Sequence, residues 1–270
     1  MVAPSRSTKT TTKAKRAPVR RPTRPAKIGA EEWQVRVQLA ACYRIFSELG
    51  WTELIYNHIT MRLPGADKHF LINPFGLLYS EVRASNLVRI DLQGNIIGES
   101  AWPVNPAGFT IHAAIHDGIP DAHCVMHTHT TAGMAVACAR DGLSISNFYS
   151  AQLHDKLAYH DFEGVTVHDD EGPRLIRAIE NKQAVILRNH GLLAWGDTIA
   201  RTFAILWLLN RACEIQLAST SMGPVIALSE DIQRKCTRDS LQFSARFGAG
   251  QDVFDALTRI VDRIDPSYKT

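Results

Sequence analysis

Two histidines one residue apart, at the end of an apolar run, constrain this chain more than any other feature. Cys124, Val125 and Met126 lead directly into His127–Thr128–His129. Side chains i and i+2 of a strand share a face, so a strand through this run sends both imidazoles into one space. A third histidine, His190, follows a second apolar run, Ala184–Leu187, and Gly191 comes straight after it. Three imidazoles at strand ends make an open metal site, with a coordination position left for water or substrate. Histidines also serve as hydrogen-bonded core residues, but a pair plus a third in the same kind of setting favours ligands of one divalent ion.

The 270 residues suffice for one sizeable core with appendages, and 45% hydrophobic with 21% charged residues is an ordinary globular balance. No apolar run reaches the roughly 20 residues that cross a bilayer, so no transmembrane segment is expected. The five cysteines, Cys42, Cys124, Cys138, Cys213 and Cys236, are scattered and without CxxC spacing. They read as the reduced thiols of a cytoplasmic protein.

The net charge of +3 hides an asymmetry. Nine of the 30 basic residues fall within residues 1–27, which hold no acid, leaving 21 against 27 acids in the remainder. Residues 1–28 also lack the large apolar side chains that would offset the entropy of ordering them, so they are expected to be a disordered basic tail. Such a tail attracts nucleic acid or a membrane surface only weakly. Residues 29–270 are expected to form one domain ending in C-terminal helices.

Within that domain, Val35, Leu39, Cys42, Phe46 and Leu49 have helical spacing, stopped by Gly50. Ile55–Leu63, Phe70–Ile72, Val88–Leu92 and Asn95–Ile97 read as short antiparallel strands. Thr110–His116 reads as a helix, followed by a strand to His127 and a helix over Thr130–Cys138. A helix from Asp169 or Asp170 through Ile179 precedes the strand to Leu187, and Gly191–Trp195 is a further strand. A long helix runs from Thr198 to about Leu217, with two more over Ile232–Arg246 and Val253–Ile264. Strands mixed with flanking helices indicate an α/β layered domain.

The runs PDAHCVMHTHTTAGMAVA, NPAGFTIHAAIH and RNHGLLAWGDTIARTFAILWLLNRACEIQ closely resemble the class II aldolase/adducin family, and the likeness extends from Glu31 to about Ser219. Within it the chain looks closest to the adducin-like bacterial branch. The resemblance implies a three-layer α/β/α sandwich around a mixed, mostly antiparallel sheet, and a homotetramer with active sites between subunits. It also implies a divalent metal, zinc most commonly with Mn2+ or Fe2+ as alternatives, on His127, His129 and His190. Such an ion is an electron sink for retro-aldol cleavage, epimerisation and decarboxylation alike.

Two departures from the family matter. The aldolases carry an acid/base glutamate four residues before the helix histidine that corresponds to His112; here that position is Gly108. Their phosphate-binding positions correspond to Tyr56–Asn57, Phe75–Gly76 and Pro106–Ala107, where Asn57 and Gly76 survive but three hydroxyls do not. Each lost hydroxyl bond to a charged group removes about 1.5–3 kcal/mol, which points to a non-phosphorylated substrate. Asn57, Gly76 and Asn105 are the expected substrate-binding positions, and Tyr149 is the expected proton donor, reaching in from a neighbouring subunit. His112 and His116 share a helix face at i, i+4 and are read as packing against the sheet. His154, His160 and Asp161 sit where they could line a pocket, while His58, His69, His123 and His168 receive no role.

The leading expectation is a metal-dependent lyase, cleaving a small hydroxy- or oxo-carboxylate by decarboxylation or aldol-type chemistry. The alternatives are a non-catalytic adducin-like scaffold and a metal-dependent oxygenase, since three-histidine sites also hold iron.

Overall fold

The computed structural model describes residues 24–65, 67–165, 169–240 and 248–270. The expected basic tail lies outside the described residues up to residue 23. The helix expected over Ile232–Arg246 is α7 (Glu230–Asp239), which ends earlier because Ser240 takes an extended conformation; residues 241–247 lie outside the described residues.

The first helix, α1 (Ala30–Glu48), carries Glu31 and Glu32 in its first turn, where the helix dipole favours negative charge. It ends where the spacing predicts. Gly50 takes a left-handed φ of +69°, Gly50 N bonds Ser47 O, and Trp51 N bonds Phe46 O. This pair of bonds satisfies the last carbonyls of the helix and needs a left-handed residue between them.

Among the described residues seven strands form one sheet, in the spatial order β3 (Val88–Ile90), β2 (Phe70–Ile72), β1 (Ile59–Arg62), β4 (Cys124–Thr128), β7 (Gly191–Gly196), β6 (Ala184–Leu187) and β5 (Leu157–His160). Every neighbouring pair is antiparallel except β5 and β6. The helices α3 (Thr131–Cys138), α6 (Ile199–Ser219) and α8 (Gln251–Ile264) lie with α1 on one face, while α2 (Pro106–Gly118) and α5 (Gly172–Ile179) lie on the other. The result is the three-layer sandwich with a mixed, mostly antiparallel sheet.

The layering explains why the central strands are apolar throughout. Cys124 and Met126 of β4 enter the large core under α1, α3 and α6, whereas Val125 enters the core under α2 and α5. In β6, Ala184 and Ile186 divide from Val185 and Leu187 in the same way. A strand covered on both faces has no solvent side, so its sequence shows a run and not an alternation.

Three expectations need correction. The strand read over Ile55–Leu63 is ordered as strand only from Ile59 to Arg62, because Leu54 takes a positive φ and a turn follows it. Asn95–Ile97 forms a single bridge between Ile90 and Ile96, with Asn95 N bonded to the Asp91 carboxylate at 2.9 Å. The strand β5 was not foreseen: its four residues lie between Asp155, which has a positive φ, and the exposed Asp161. Three of the five cysteines, Cys42, Cys124 and Cys213, are buried, and all five are free thiols. Among the described residues no helix is long and apolar enough to cross a membrane.

Candidate metal centre

Backbone pairing brings the three histidines together. In the β4–β7 ladder His127 stands opposite Leu193 and Thr128 opposite Leu192. The β6–β7 turn is three residues long, closing with Leu187 opposite Gly191, and Asn189 within it takes a φ of +56°. Asn189 N bonds Ala137 O, which ties the turn to α3 and delivers His190 to the end of β4. β4 stops at Thr128, so His129 lies one residue past the strand. Thr130 then caps α3, its Oγ1 accepting from Gly133 N at 3.2 Å.

The rings converge. One nitrogen from each of His127, His129 and His190 lies within 4.8 Å of the other two. Ring centroids are 4.5 Å apart for His127 and His129, 4.8 Å for His127 and His190, and 5.0 Å for His129 and His190. His127 Nδ1–H donates to the Leu192 carbonyl at 2.9 Å, so its Nε2 presents a lone pair to the cluster. That Nε2 is 2.7 Å from His129 Nε2, and two nitrogens this close need a proton or a cation between them.

Burial holds all three imidazoles in the neutral, ligand-competent form. His127 is pushed well below the usual histidine range by desolvation, reinforced by His190 and His129. His190 is lowered to about 4 by desolvation and then by His129, and His129 is lowered by burial. Three neutral imidazole nitrogens with one orienting carbonyl behind them fit a divalent ion of the zinc class.

Gly191 makes the approach possible. A Cβ there would stand 2.5 Å from the Thr128 carbonyl oxygen, 2.9 Å from His129 Cδ2 and 3.3 Å from His127 Cε1. Only glycine lets β7 pass this close to two of the ligands.

Behind His127 lies a buried relay. His116 Nδ1–H donates to the Ala122 carbonyl at 2.6 Å, leaving Nε2 to accept from the Thr60 hydroxyl at 2.7 Å. The Thr60 oxygen in turn accepts from His112 Nδ1 at 2.7 Å. His112 and His116 therefore pack and bond to the sheet, as their helical spacing suggested, and His112 Nε2 is left as a bare lone pair with no partner.

His58, given no role on sequence grounds, belongs here. Its ring is 4.2 Å from that of His112 and 5.7 Å from that of His127, centroid to centroid, and burial lowers it to about 4. Asn57 is also buried, and both its amide atoms lack partners. Gly76 has a φ of +105° and lies against Trp102. Asn105 is the N-cap residue of α2 and makes no side-chain cap bond. Tyr149 lies on the short helix α4 (Phe148–Ala151), with its ring 5.5 Å from Trp207 of α6. His160 bonds Glu171 Oε1 at 3.1 Å and is buried, a paired core residue.

The profile of the Class II Aldolase and Adducin N-terminal domain matches residues 37–217. The chain belongs to this family. Among solved structures it is similar to an aldolase II superfamily protein from Pseudomonas syringae, with a TM-score of 0.86 at 37% identity, covering 90% of this chain and 98% of that one. An L-fuculose 1-phosphate aldolase from Glaciozyma antarctica matches with a TM-score of 0.79 at 28% identity, covering 93% and 97%. Alpha-adducin of Mus musculus is 40% identical over 250 residues, covering 87% of this chain but only 34% of the adducin. In this class II aldolase and adducin domain, the histidine cluster sits at the ends of the central strands.

The buried histidines give the fold an acid limit. His116 is lowered to about 3 and His58 to about 4, mainly by desolvation, against an ordinary value of 6.5. Above pH 6.5 both folded and unfolded states are neutral at these sites, and their contribution to stability is complete. Below it the unfolded chain binds protons that the folded one refuses, so stability falls by up to about 1.4 kcal/mol per pH unit per group. Thermal unfolding from pH 7 to pH 4 is expected to show a steadily falling Tm. A flat Tm across that window would contradict the burial of these rings.

Proposed function

We propose that this protein is a divalent-metal-dependent lyase, acting on a small non-phosphorylated hydroxy- or oxo-carboxylate by decarboxylation or aldol-type C–C cleavage. The observation that carries this reading is the trio of convergent neutral imidazoles, together with a helix position, Gly108, that has no carboxylate. A bound divalent ion, with zinc the first choice and Mn2+ or Fe2+ next, supplies positive charge to a carbonyl or carboxylate during bond cleavage.

The chain's own residues do the rest. His127, His129 and His190 hold the ion, and the Leu192 carbonyl fixes His127 in the ligating tautomer. α3 begins next to His129, and the positive end of its dipole favours an anionic substrate group. Asn57, with both amide atoms unpaired, Gly76 and Asn105 are assigned to substrate binding. Tyr149 is assigned as a proton donor supplied by a second copy, in a homotetramer with shared sites.

The test is a purification without chelator, measurement of bound metal, and a screen of hydroxy acids, oxo acids and phosphosugars. L-Fuculose 1-phosphate belongs in that screen because a 28% identical structural relative is named for cleaving it. Carbon–carbon cleavage of carboxylates but not phosphosugars is expected. Turnover of the phosphosugar alone would remove the substrate assignment.

The 40% identity to alpha-adducin supports a second reading, a non-catalytic binding domain. A purified protein with no affinity for added zinc, manganese or iron would select it.

A further inference from the structure

The first turn of α2 contains Gly108, and the space a side chain would need there is taken. A Cβ on Gly108 would stand 2.6 Å from His58 Nδ1 and 2.7 Å from His58 Cε1. The imidazole lies over the glycine and is 6% exposed. It is near His112 and His127. A histidine just before β1 thus occupies the place that a carboxylate on α2 would fill.

Its hydrogen-bonding state follows from its neighbours. His58 Nδ1 faces the Tyr56 carbonyl at 3.4 Å, which leaves the proton on Nδ1 and a lone pair on Nε2. That Nε2 is buried and has no partner. His112 Nε2, at the end of the Thr60 relay, is the same: a buried bare acceptor. Of the eleven buried side-chain atoms without partners among the described residues, four belong to Asn57, His58 and His112. Buried polar groups are rarely left unpaired, and the cost falls when a ligand supplies what they lack. Two bare imidazole acceptors lack a donor.

We propose that His58 Nε2 accepts a hydrogen bond from a hydroxyl of the substrate, with His112 Nε2 as the neighbouring acceptor, so that the site selects hydroxy acids over oxo acids. Gly108 is glycine in order to seat His58. This rests on the metal-lyase reading and narrows its substrate class. An oxo acid ionised at neutral pH carries acceptors only and leaves both lone pairs unmatched. A hydroxy acid of the same carbon skeleton donates its hydroxyl proton to one of them.

The experiment uses zinc-loaded full-length protein with lactate and pyruvate as probes, with binding read by calorimetry. Wild type is expected to bind lactate roughly tenfold or more tightly than pyruvate. His58→Ala is expected to retain zinc at the wild-type stoichiometry and to lose the lactate preference. Gly108→Ala, which keeps His58 but displaces its ring, is expected to lose the preference too. In 15N NMR of wild type, the His58 Nε2 resonance is expected to shift on adding lactate and not pyruvate, a readout independent of any variant's folding.

A zinc-loaded wild type that does not distinguish the two acids overturns the proposal and leaves the metal reading standing. The same holds if the preference survives in His58→Ala or the Nε2 resonance fails to move. Loss of zinc from well-folded His58→Ala also overturns it, because His58 would then be a ligand. A wild type that binds no zinc, manganese or iron removes the metal reading itself.

Discussion

His127→Ala is expected to empty the metal centre. His127 is the most buried of the three ligands, at 3% exposure, and it alone has a ring nitrogen bonded to a backbone carbonyl, that of Leu192. Removing it leaves two nitrogens, one of them on the β6–β7 turn, and no rigid anchor between them. Structural zinc sites are worth about 10–16 kcal/mol across their full ligand set, so loss of one ligand of three costs on the order of 3–5 kcal/mol, several-hundredfold or more in affinity. Metal content after dialysis is expected to fall to background, and any metal-dependent cleavage with it. His116→Asn is the matched control. It lies in the relay behind the site, bonded to Thr60 and Ala122, and is expected to lower stability while leaving metal stoichiometry unchanged. Equal metal content in His127→Ala and wild type would refute the centre as described.

The site was legible in the sequence for reasons that were only partly right. The i, i+2 argument requires His127 and His129 on one strand, yet β4 ends at Thr128 and His129 belongs to the link into α3. The imidazoles converge because the β4–β7 register, the left-handed Asn189 and the absence of a side chain at Gly191 bring His190 up to them. The central strands could be read because continuous apolar runs mark burial on both faces. β5 could not, being four residues long with only Ala158 and His160 buried. His58 went unseen for a different reason. Its role depends on contact with Gly108, fifty positions away in the chain, and no local pattern records that contact. The signal that could have found it was the missing carboxylate: a vacated position beside a site invites the question of which polar side chain fills the space.

Gly191→Ala is expected to be the most damaging single methyl group that can be added near the site. The new Cβ would meet the Thr128 carbonyl oxygen at 2.5 Å, a backbone atom fixed by the ladder in which Thr128 pairs with Leu192. A flexible side chain could swing aside; a ladder carbonyl moves only if β4 and β7 separate. Overpacking of this kind costs about 1–3 kcal/mol and more where the obstacle is rigid, and in a domain of this size each kcal/mol lowers Tm by roughly 2–4 °C. The same Cβ presses on His129 Cδ2 and His127 Cε1, so the separation that relieves the clash also pulls two ligands out of position. Weakened zinc binding is therefore expected together with a Tm lowered by roughly 5 °C or more. Gly29→Ala, where an added Cβ meets nothing within 4 Å, should leave both quantities close to wild type. If Gly191→Ala instead matches Gly29→Ala in Tm and zinc affinity, β7 does not approach the end of β4 as closely as the ligand geometry requires.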